Sequence, residues 1–224
     1  MAKSSGIFKL LLKLIIGVLS IPVGAGVTIA LYKNLMLVAQ LVDSMSFFLW
    51  GIASYATLHL LFYKPTYLYV LGHEAVHAGV AWIFGGKIKS FKVSEKGGSV
   101  GTDKSNVAIE LSPYFVPIYA IIVTIIYFII ASSYVINGSI FIYLIGFTLA
   151  FHMILTIEVM KIRQPDIVKS GYFFSIMIVY IFNIIVIALM FSLIFPAFSA
   201  KKFFIDSWIL SKGAYVAAAR QLFM

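Results

Sequence analysis

Residues 66–84 read TYLYVLGHEAVHAGVAWIF, and His73, Glu74 and His77 are the only charged or imidazole side chains among them. About 20 apolar residues carry a helix across the hydrocarbon core of a bilayer. The run therefore predicts a membrane-spanning helix, broken from what precedes it by Lys64-Pro65, with Pro65 suited to a first helical turn. Ionisable groups clustered inside such a helix are costly and mark function.

Outward from this run the same pattern recurs, at roughly 8–32, 44–63, 107–131, 139–160 and 167–195. Apolar residues make up 62% of the 224-residue chain and charged residues 11%, too little polar surface for a soluble domain of this length. The expectation is an all-α polytopic membrane protein of about six transmembrane helices. Pro22 with Gly24-Ala25-Gly26 should kink the first span or admit a close neighbour, and Pro113 and Pro117 should do the same near the start of the fourth. The run from Leu14 to Tyr32 is long enough to span and is read as a retained anchor, not a signal peptide.

The one long polar stretch, Gly85 to Asn106, follows the 66–84 span. Ile88, Ser90 and Lys92 alternate with Lys89, Phe91 and Val93, and Glu95-Lys96-Gly97-Gly98-Ser99 supplies turn chemistry before Val100. This predicts a short β-hairpin at the membrane face. Lys201 to Met224 mixes Phe203, Phe204, Trp208 and Ile209 with charges, as an interfacial amphipathic helix does. The expected organisation is a single membrane domain, 1–224. Residues 1–65 form two accessory spans, 66–195 a core with the hairpin at 85–106, and 196–224 the interfacial tail.

The net charge is +9. Its lysines and arginines flank apolar runs, where they anchor helices and meet lipid head groups, so a bilayer and not nucleic acid is the expected partner. They divide almost evenly between the two sides of the membrane, which leaves orientation open, and oligomeric state is not encoded. The absence of cysteine rules out a thiolate metal site.

His73 and His77 are four apart, hence on one face of a helix. Two neutral imidazoles so placed can each give a nitrogen to one Zn2+ ion, and Glu74 stands beside the metal without binding it, as a base toward water. A catalytic zinc keeps three protein ligands and one open position. Candidates for the third are Asp43, His59, Glu110, His152, Glu158 and Asp166. Asp166 is favoured, because Pro165 breaks the helix before it and two spans return the chain to the side near His77. Its competing role is a helix N-cap. Glu158 is the substitute ligand, with pairing to Lys161 as its ordinary role. Asn183 is either an oxyanion donor or an interhelical contact, and His152 either supports a ligand or packs between helices. Asp43, His59 and Glu110 receive no role.

These residues resemble the site-2 protease family of intramembrane zinc metalloproteases. The resemblance covers about 66–195. It rests on His73-Glu74-Ala75-Val76-His77 within a span, Gly85-Gly86 before a hairpin, Pro113-Tyr114-Phe115-Val116-Pro117, and Asp166. Where the family has Leu-Asp-Gly, this chain reads Gln164-Pro165-Asp166-Ile167. The resemblance implies His73, His77 and Asp166 as zinc ligands, Glu74 as catalytic base, and cleavage of another protein's transmembrane segment. It also implies a minimal member without a PDZ domain, multi-pass in a prokaryotic cell membrane. The alternatives are a non-catalytic relative that binds membrane proteins, a membrane metal transporter, and a prenyl-protein type of zinc protease using Glu158.

Overall fold

A computed structural model describes residues 2–38 and 42–223. In chain order the elements are α1 (Ala2–Leu19), α2 (Ile21–Val38), α3 (Val42–Leu61), α4 (Thr66–Ile83), β1 (Ile88–Ser94), β2 (Gly97–Thr102), α5 (Val107–Leu111) with a 3-10 turn at Ser112–Tyr114, α6 (Ile118–Ala131), α7 (Gly138–Met160), α8 (Pro165–Ser170), α9 (Tyr172–Ile194) and α10 (Ala200–Phe223). The chain is 77% helical. Three stretches, Phe8–Met36, Gly138–Met160 and Tyr172–Ile194, are long and apolar enough to cross a membrane. Two bent pairs raise this to five if each counts as one span: Met45–Leu61 with Thr66–Ile83, bent by 120°, and Val107–Tyr114 with Ile118–Ala131, bent by 74°. The bends fall at Lys64-Pro65 and at Val116-Pro117, where proline removes a helical donor.

Apolar side chains face outward along these helices. On α6, Ile122, Ile125, Ile126 and Ile129 are all exposed, while Glu74, His59, Glu110, His152 and Asn183 are buried. Lipid as solvent explains both halves of that inversion.

Chain contacts define two units, Met1–Gln40 with Pro165–Met224, and Leu41–Gln164. In the first, α1 and α2 pack on α9, and α10 lies along α2. A Cβ on Gly24 would touch Met177 and Tyr180, and one on Gly26 would collide with the backbone of Ser211, so this glycine pair does admit close neighbours. Asn34 donates to Ala30 O at 2.9 Å and to Asp206 Oδ2 at 3.1 Å, and Tyr215 donates to Leu19 O. These contacts run α10 antiparallel to α2, so the tail is a docked helix. Lys202 hydrogen-bonds Asp206 at 2.6 Å and holds its carboxyl below the usual range. In the same unit Asn183 donates to Val179 O, 2.9 Å away in its own helix.

The second unit is built on α3 crossing α7. A Cβ on Gly51 would fall 2.8 Å from Phe147 N, and one on Gly146 would meet the Phe48 carbonyl, so each glycine admits the other helix's backbone. Tyr55 then packs edge-on against Phe147 and Phe151, at 5.3 and 5.4 Å between ring centroids. Gly146→Val should drive the helices apart at a cost of about 1–3 kcal/mol. The expected readout is a lower unfolding midpoint in detergent. Gly79→Ala, where a Cβ meets nothing within 4 Å, should leave that midpoint unchanged or slightly raised.

Candidate metal centre

Helix α4 begins at Pro65 and ends in a glycine cap. Gly85, at φ +70°, donates to Trp82 O at 2.8 Å, and Gly86 donates to Ala81 O at 2.8 Å. This pair of bonds is the Schellman motif, which needs the left-handed residue that glycine supplies. It satisfies the last carbonyls and turns the chain directly into the hairpin. The hairpin forms as expected, antiparallel, with Phe91 opposite Val100 and Val93 opposite Gly98, and with a bulge between Ile88 and Ser90. Glu95-Lys96 make the turn, and Gly97 takes φ +138°.

The hairpin folds back over α4. A Cβ on Gly98 would fall 2.6 Å from Glu74 Cγ and 2.8 Å from its Oε1. Only glycine lets β2 lie this close, and Glu74 is 6% exposed beneath it.

His73 and His77 stand one turn apart with ring centroids at 4.9 Å and planes at 78°. Each ring has a fixed neighbour. His77 Nδ1 lies 2.7 Å from the carbonyl oxygen of Ile109, and since a carbonyl only accepts, Nδ1 carries the hydrogen. In the neutral imidazole this leaves the lone pair on Nε2, the form that ligates a metal. The carbonyl is available for a local reason. Its helical partner would be the N–H four residues on, at position 113, which is proline and has none. The Ser112 hydroxyl adds a longer bond to the same oxygen, at 3.3 Å. Asn106 caps α5 by accepting from Ile109 N at 2.9 Å, and Ser105 donates to Glu110 at 2.6 Å. His73 is held by rings: Tyr114, fully buried, stands edge-on at 5.0 Å, and Tyr69 lies at 5.9 Å. Close approach at Gly72, where a Cβ would sit 2.7 Å from Tyr119, brings α6 against α4.

No protein-family model matches this chain, and no curated protein or solved structure matches it either.

The structure thus sets His73 and His77 face to face one turn apart on α4, with Glu74 beneath the hairpin. Asp166 belongs to the other unit, part-buried in the first turn of α8 after Pro165. Glu158 goes elsewhere than the sequence suggested. Its Oε1 accepts from Lys64 at 2.7 Å and lies 3.1 Å from His59 Nε2, while His59 Nδ1 meets Tyr55 OH at 3.2 Å. The ordinary role weighed for Glu158, pairing with Lys161, is filled instead by Lys64, 94 positions away. The side chain of Asp43 lies outside the described residues. Sequence reasoning missed the hairpin contact with Glu74 and the Ile109 carbonyl. For the second there was a signal, Pro113, four residues after Ile109.

The donor chemistry fits zinc: two imidazoles one turn apart, one already held in the ligating tautomer, and a carboxylate between them in sequence. Gly98→Val should lift β2 from Glu74. The expected result is faster amide exchange across β1 and β2 with exchange in α4 unchanged; equal hairpin protection in both proteins would mean the contact does not hold the hairpin.

Proposed function

We propose that this chain is an intramembrane zinc-dependent endopeptidase of the site-2 protease type. His73, His77 and Asp166 hold the ion and Glu74 is the base. The observation that carries this reading is the His77 Nδ1 bond to the Ile109 carbonyl, because such an anchor on the second ring nitrogen is characteristic of metal-ligating histidines. Asp166 is preferred over Glu158 because Glu158 is already engaged by Lys64 and His59. The proposal includes six crossings of a prokaryotic cell membrane. The 120° bend between Met45–Leu61 and Thr66–Ile83 makes those two helices separate spans on this reading.

When bound, zinc supplies a Lewis acid that polarises the scissile carbonyl and acidifies water. The chain's own groups do the rest. His77 keeps its Nδ1 proton on Ile109 and so stays in one orientation. Glu74 takes a proton from the attacking water and delivers it to the leaving amine as the C–N bond breaks. The substrate is a peptide bond within or beside another protein's transmembrane helix, which must unwind locally because a helix shields its carbonyls. An unwound strand in lipid needs backbone partners. Among the described residues each strand of the two-stranded sheet keeps one edge without a neighbouring strand, and an extended peptide can add there.

Glu74→Gln should retain zinc, measured as metal per protein after gel filtration. It should cut cleavage of a transmembrane peptide in proteoliposomes by about 10²–10⁴-fold. Cleavage at the wild-type rate would sink the mechanism. The third ligand is tested by metal content alone: Asp166→Ala should lose zinc and Glu158→Ala should keep it.

A further inference from the structure

We infer that His152 is a positioning residue for His73, acting through one ordered water in the cavity the two imidazoles share. This rests on the zinc reading above. It begins with register. Tyr69 of α4 meets Thr156 of α7, hydroxyl to hydroxyl, at 3.4 Å. One helical turn from each, in opposite directions along the chain, come His73 and His152. Both line a cavity of about 10 Å³, walled by Tyr69, Tyr119, Phe151 and Pro113. The aromatic wall is tightly set, with Tyr119 edge-on to Phe151 at 5.3 Å and Tyr69 to Phe151 at 6.4 Å. That volume is about the least that admits one water.

The chemistry of the site calls for such a link. A metal-ligating histidine is oriented through its second ring nitrogen by a carbonyl, a carboxylate or a water. His77 uses the Ile109 carbonyl. His73, a turn earlier on the same helix, borders the cavity into which α7 brings a second imidazole. A water between two imidazoles can donate to one and accept from the other, and such a bridge orients nearly as well as a direct bond. His152 is 7% exposed, and an imidazole that deep in a spanning helix is retained for function more often than for packing.

The test compares His152→Phe, which keeps ring bulk without polar atoms, with His152→Gln, which keeps a polar end. Zinc affinity is measured by competition with a chelator on the full chain in detergent. Zinc affinity of the Phe variant should fall by about 10–100-fold, while that of the Gln variant stays within a few-fold of wild type. Unchanged affinity in the Phe variant overturns the inference, and so does an equal loss in both, which would assign His152 to shape alone. Should the Phe variant not fold, His152→Ala replaces it against the same Gln reference. Wild type that takes up no zinc overturns the zinc reading itself, and this inference with it.

Discussion

A bilayer offers no water to a backbone group that has lost its partner, and the second unit is arranged around one such loss. Pro113 removes the donor that would have closed the helical bond to Ile109. His77 supplies another, from a different helix. Two needs are met at once: the freed carbonyl acquires a proton donor, and the imidazole acquires a fixed tautomer. The bond also ties α4 to α5 at a defined height. From that height follow the edge-on packing of Tyr114 on His73 and the turn that launches α6. Removing the proline would restore a competitor for the same oxygen, so the kink and the histidine's orientation are one feature of the fold.

Around α4, close approach is achieved by removing side chains. Gly72 admits Tyr119, and Gly98 admits Glu74. A carboxylate inside a span is normally expensive, and here it lies between its own helix and the backbone of β2. The hairpin is also the most polar segment next to this helix, with Lys89, Lys92 and Lys96 exposed on it. On the proposed protease reading, it is the element through which solvent and an extended peptide chain reach Glu74.

Much of this was legible in the sequence because its signals are local. The apolar runs, the alternation over Ile88 to Val93 and the four-residue spacing of the two histidines each depend on a handful of neighbours. What was not legible depends on residues far apart. Glu158 was weighed as the substitute ligand or as a partner of Lys161, three positions on, and Lys64 and His59 engage it across 94 and 99 positions. The six apolar runs correspond to three candidate spans, or five with the bent pairs, for another reason. Hydropathy measures length and composition, and it is blind to whether a bend between two apolar segments separates two crossings or interrupts one.

The same unit holds two groupings of histidine and carboxylate, and their surroundings assign them different work. At Glu158 an ammonium sits on the carboxylate and an imidazole nitrogen on the same oxygen. The positive charge needed there is already covalently part of the chain, so a cation would have to displace Lys64. At His73, Glu74 and His77 the neighbours that set each group are a tyrosine ring, a glycine backbone and a carbonyl oxygen. The carbonyl accepts a hydrogen bond from Nδ1, which in the neutral ring leaves the lone pair of His77 on the opposite nitrogen. Similar residue types thus serve as an ion-paired clamp where Lys64 meets Glu158, and as a pair of facing imidazoles where Ile109 and Tyr114 set their orientation.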